Sequence, residues 1–66
     1  MSKDEVALLC AEIKGKGRYP VTVELRVEST TVYSSLIRES DSAGLEVVVR
    51  DILRTAIRKS ATVHVV

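Results

Sequence analysis

Arg50, Arg54 and Arg58 recur at i, i+4 and i+8, which places them on one face of any helix that carries them. A row of guanidinium groups can contact successive phosphates of a nucleic acid. The competing reading is a solvated helix face on which Glu46 pairs with Arg50. A second basic run, Lys14-Gly15-Lys16-Gly17-Arg18, lacks the GxxxxGK[ST] pattern of a phosphate-binding loop. Lys14, Lys16 and Arg18 could still touch a nucleic-acid backbone; otherwise the run is a solvated turn. Thr22, Glu24 and Arg26 alternate with Val21, Val23, Leu25 and Val27, so they share the polar face of one strand.

The remaining reactive side chains do not form a set. Cys10 is the one cysteine and His64 the one histidine. Together they are too few for a zinc site of those ligands, and a lone cysteine cannot close an internal disulfide. Cys10 falls on an apolar helix stripe, where a small core residue is expected. His64 alternates with Val63 and Val65 and is expected on the polar side of a strand, as a cross-strand partner for Glu24 or another acid. Nothing in the spacing brings Cys10, His64 and an acid together for nucleophilic catalysis. No catalytic residue, metal or cofactor is therefore expected. Tyr19 and Tyr33 are the only aromatic residues, too few for a base-stacking platform.

The elements that must hold these groups follow from periodicity. Val6, Leu9, Cys10 and Ile13 predict a helix over residues 2–14, with Ser2 as N-cap and Gly15 and Gly17 as the stop. Leu8 falls off that stripe. Residues 20–28 predict a strand. Ser29, Thr30 and Thr31 resemble a helix start, and Val32, Tyr33, Leu36 and Ile37 predict a short amphipathic helix over 30–40. Ser40 to Gly44 reads as a turn. Leu45, Val48, Val49, Ile52, Leu53, Ala56 and Ile57 predict a helix over 45–59, with acids early and bases late to suit the helix dipole. Residues 61–66 predict a strand that pairs back toward 21–27, with the amides of Val63 and Val65 protected from exchange. The expected fold is a small α+β domain ordered αβααβ.

Composition bounds the rest. The chain has 66 residues, is 45% apolar, lacks Phe and Trp, and carries a net charge of +1. That supports a folded aliphatic core and argues against disorder or a strongly basic nucleic-acid coat. A core this small rarely supplies more than roughly 3–5 kcal/mol, so domains of this size commonly gain area by association. A homo-oligomer, a dimer first, is expected, completed through a shared β-sheet or ribbon. No apolar run approaches the ~20 residues of a membrane helix, and the first residues lack the apolar stretch of a secretory signal. A cytoplasmic location with no membrane partner is expected.

Strand, short helix, turn and longer helix over residues 21–59 resemble the ribbon-helix-helix family of DNA-binding proteins. The run Val49-Arg50-Asp51-Ile52-Leu53-Arg54 looks like that family's aliphatic-Arg-acidic-aliphatic-Leu pattern. The resemblance implies that two chains pair residues 21–27 into an antiparallel ribbon that enters the major groove. Thr22, Glu24 and Arg26 would then read base edges. Lys14, Lys16, Arg18, Arg50, Arg54 and Arg58 would contact phosphates, as would the backbone N–H groups near Gly44 to Glu46. The function so implied is a small regulator that binds double-stranded DNA. The alternative is a non-catalytic protein-interaction module that acts through a shared β-sheet with a protein partner.

Overall fold

The computed structural model describes residues 2–66. Ser2 caps helix α1 (Lys3–Gly15): its hydroxyl accepts the Glu5 backbone N–H at 3.2 Å. Val6, Leu9 and Ile13 form the buried stripe of α1, while Leu8 is 67% exposed. After the helix, Gly17 takes a φ of +66°, a conformation that glycine adopts without steric cost.

Strand β1 (Val21–Val27) buries Val21, Val23 and Leu25 on one face, as its alternation requires. The next segment differs from the sequence expectation. Residues 30–40 do not form a helix: Thr30–Ile37 is strand β2, and Glu39–Gly44 is a 3-10 turn. Three β-branched residues and a tyrosine open this segment, and such side chains pack better on a pleated surface than in a helix. Its apolar residues lie on both faces of β2, which hides the period of two and imitates a helical spacing. The hairpin between β1 and β2 is a two-residue turn, with Glu28 at φ 51° and Ser29 at φ 70°. Two left-handed residues match the twist of the flanking strands, but the Asn-Gly signature of this turn is absent. Thus the expected order αβααβ becomes α1-β1-β2-α2-β3, still an α+β domain.

Helix α2 (Leu45–Lys59) buries Leu45, Val49, Ile52, Leu53, Thr55 and Ala56. Ile57, expected on its apolar face, is 61% exposed. Thr55 satisfies its buried hydroxyl by donating to the Asp51 carbonyl at 3.0 Å. The helix ends at Ser60, which is left-handed (φ 52°), and the Ala61 N–H returns to the Ala56 carbonyl at 2.9 Å. Strand β3 (Thr62–Val65) follows at once. No helix among the described residues is long and apolar enough to cross a membrane.

The sheet has the order β2-β1-β3, antiparallel throughout. Both helices pack on one face of it, and Ile13, Leu25, Ile37, Val23 and Val49 lie at the centre of the core. Among the described residues, no helix covers the opposite face of the sheet. A bulge interrupts the β1–β2 ladder, because Leu25 faces Tyr33 while Arg26 faces Thr31. Thr31 and Val32 therefore share one opposing residue, Arg26.

Candidate functional site: the open sheet face and its edges

The open face is built by alternation on three strands. β1 supplies Thr22, Glu24 and Arg26. Across the ladders stand Leu36 and Ser34 of β2 and His64 and Thr62 of β3. The register sets Glu24 between Ser34 on one side and His64 on the other. The Arg26 guanidinium donates to the Glu24 carboxylate through Nη2 at 2.6 Å and Nε at 3.0 Å, and the Thr31 hydroxyl donates at 3.3 Å. The Arg26 hydrogen bonds are the main cause that holds the Glu24 carboxyl below its ordinary range; the charge of Arg26 and the Thr31 bond act the same way. On β3, the Thr62 hydroxyl lies 3.2 Å from the Arg26 carbonyl and 2.9 Å from His64 Nε2. A hydroxyl has one proton. Spent on the carbonyl, it leaves the Thr62 oxygen to accept from a His64 that donates through Nε2.

The alternation of β1 accordingly puts Thr22, Glu24 and Arg26 on one polar face, and of the acids left open as the cross-strand partner of His64 the register selects Glu24. The use expected for that face does not fit the topology. β1 is the central strand, with β2 on one edge and β3 on the other. A ribbon in which residues 21–27 pair with their own copy needs a free β1 edge, and both edges are taken. The strand–helix–helix order behind the resemblance is also absent, since residues 30–37 form a strand.

The basic candidates lie elsewhere. Arg50, Arg54 and Arg58 are exposed on α2. At roughly 100° per residue they project from the side opposite Val49, Ile52 and Ala56, which face the sheet. They thus occupy the outer surface of the helical layer, on the other side of the domain from Arg26. One flat contact cannot use both sets. Arg50 donates to Glu46 at 2.8 Å, an exposed i,i+4 pair. Arg58 reaches the Thr55 hydroxyl at 3.4 Å. Arg54 and Arg50 line a small hollow with Lys3 and Glu46. Lys14 lies in the last turn of α1, while Lys16 and Arg18 are exposed in the turn leading to β1.

An open groove of about 700 Å³ runs between α1 and the start of α2, lined by Ala7, Cys10, Lys14, Ala43 and Val47 among others. Cys10 is half-buried there, and His64 lies on the far side of the sheet. Among the described residues, no three His, Cys, Asp or Glu side chains converge in a way that could hold a metal ion.

The residues that sequence reasoning missed lie on the outer edge of β2. Its eight residues, Thr30 to Ile37, include no charged residue and no proline. Val32 is 43% and Leu36 56% exposed, and Tyr33 also reaches solvent. The backbone geometry of this edge follows from one bond. The Val66 N–H donates to the Thr22 carbonyl at 2.9 Å, so the polar backbone atoms of Thr22 point to β3. These directions alternate along a strand. Val21, Val23 and Leu25 accordingly pair toward β2, opposite Ile37, Ser35 and Tyr33. Ser34 and Leu36 are left with N–H and C=O groups directed outward. By the same alternation His64 and Val66 pair with β1, and Val63 and Val65 face the outer edge of β3. This reverses the expectation that Val63 and Val65 carry the protected amides.

Comparison of the chain with known protein families, with characterised proteins and with solved structures found no match.

Proposed function

We propose that this chain is a non-catalytic interaction module that extends its sheet into a partner's through the outer edge of β2. One observation carries the reading: an eight-residue edge strand with no charge, no proline and, among the described residues, no covering element, in which Val32, Tyr33 and Leu36 are exposed. An edge of this kind templates further pairing, and monomeric proteins normally blunt it with charges, Pro or a covering element. The bulge lies at the hairpin end, at Val32, and leaves Tyr33 to Ile37 in regular register with β1. The other edge, β3, has four residues and is less suited to a register-specific contact. Main-chain hydrogen bonds would supply affinity, and the alternating side chains of β2 would supply specificity.

The test is selection of extended peptides from a random library, followed by mapping of the bound peptide on the chain. Slowed amide exchange at Ser34 and Leu36 on binding supports the reading. Peptides that protect the helical layer or β3 instead, while the Ser34 and Leu36 amides exchange freely throughout, would refute it.

A second reading, contact with a nucleic-acid backbone, has the hollow shared by Lys3, Arg50 and Arg54 in its favour. In this fold the contact would be made by the helical layer and not by β1. Arg54→Ala should then lower affinity for random and specific duplexes alike and reduce the salt slope by about one unit. An unchanged slope rejects it.

A further inference from the structure

We infer that the partner at the β2 edge is a second copy of this chain, paired antiparallel across a two-fold axis that passes through Ser34. The inference rests on the interaction reading above and goes beyond it by naming the occupant and the register.

Self-pairing places β2 opposite itself, so any charge in the strand would meet its own kind. β2 carries none between Thr30 and Ile37, although 29% of the chain is charged. The edge is thus free of the repulsion that would forbid a symmetric contact, and it offers no charge by which to select a different partner. The register follows from backbone direction. Only residues with outward N–H and C=O groups can bond across the edge, and Ser34 and Leu36 are such residues. A symmetric antiparallel pair must match outward residues with outward ones. With Ser34 opposite Ser34 of the second copy, residues 31–37 overlap almost the whole strand. Leu36 then meets Val32 of the second copy. Both are exposed, and both lie on the open face: Leu36 opposes Thr22, and Val32 opposes Arg26 together with Thr31. On the helix side, Tyr33 meets Ser35 of the second copy. Tyr33 stands opposite the buried Leu25 yet remains exposed in the single chain, so the contact would cover a side chain that α1 and α2 leave open. The product is a continuous six-stranded sheet with the helices of both copies on one face.

Ser34 permits a selective test because its neighbour within the chain is Glu24. In Ser34→Lys the new ammonium faces the Glu24 carboxylate in its own sheet but meets a second ammonium across the axis. The fold should survive, as circular dichroism and melting would verify, while the dimer is lost. Sedimentation of the unaltered chain should give twice its mass of 7.2 kDa. Ser34→Lys should sediment as a single chain, with at least a tenfold weaker association constant. Mixing Ser34→Lys with Ser34→Glu should restore a mixed dimer in native mass spectrometry. The Ser34 and Leu36 amides should be protected in the unaltered chain and exchange freely in Ser34→Lys.

A dimer that persists in Ser34→Lys with both amides exposed overturns the inference, because the contact then lies elsewhere. A monomer with freely exchanging edge amides also overturns it. Neither result decides the broader reading, which fails only if edge-directed peptides do not bind β2.

Discussion

Arg26 reaches back along its own strand to Glu24 and holds the carboxylate with two hydrogen bonds, the shorter at 2.6 Å. Residues two apart in a strand share a face. The pair therefore neutralises charge on the open face instead of presenting Arg26 as a free cation. That arrangement suits a sheet surface lying beside a protein partner better than one lying against phosphates.

The pair has a pH signature. Its hydrogen bonds lower the Glu24 carboxyl in the folded chain, so the unfolded chain binds that proton more readily. The stabilisation is present above the unfolded carboxylate range and is lost as pH falls through the lowered folded value. Melting curves of the unaltered chain and Glu24→Gln should differ near neutral pH and converge in acid. A difference that grows on acidification would contradict this assignment.

The hairpin turn predicts a gain. Glu28 and Ser29 both occupy the left-handed region, which side chains other than Gly and Asn adopt at a cost. Replacing them by Asn and Gly should stabilise the chain by about 1 kcal/mol, which for a domain of this size raises Tm by roughly 4–8 °C. Urea titration at constant slope would measure it.

Leu25→Ala removes a fully buried side chain at the centre of β1 and should cost about 2–5 kcal/mol, enough to unfold much of the population. Ile57→Ala, on the exposed side of α2, should change stability by about 0.5 kcal/mol or less. Equal losses would mean that Ile57 is covered in solution and that α2 takes part in an interface.

β3 gives a residue-level prediction. The His64 and Val66 amides should be protected and those of Val63 and Val65 should exchange quickly, because only the former point to β1. Deleting residues 62–66 should destabilise by more than the few tenths of a kcal/mol of a frayed end, since Val63 and Val65 pack against the core.

Much of this architecture is legible in the residues. The i, i+3, i+4 stripe of α1, the alternation of β1 and the wide face of α2 each bury one side against one core, so pattern and structure agree except at Ile57, which stays exposed. Parity puts His64 on the polar side of β3, and the register then makes Glu24 its neighbour. β2 was not legible, for two physical reasons. Its apolar residues serve both faces of an edge strand, and its turn uses Glu28 and Ser29 where Asn and Gly would have announced a hairpin. That one misreading carried the site with it. With 30–40 read as a helix, β1 retained a free edge and became the contact strand; with β2 in place, β1 is interior and the contact strand is its neighbour. Nor can spacing along α2 show that Arg54 lies beside Lys3, because the crossing of α1 over α2 brings them together.

The order β2-β1-β3 also has a consequence for the chain as it leaves the ribosome. β1 and β2 are adjacent in sequence and can close their hairpin as soon as both emerge. The other side of β1 has to wait for β3, which follows every other element in the chain. During that interval the nascent chain exposes two open strand edges and an apolar sheet face whose second helix is still being made. Such a species is prone to pair with a neighbour on the same message. Slow delivery of residues 45–65 would therefore cost soluble yield, through aggregation before completion, even where the finished fold is unaltered.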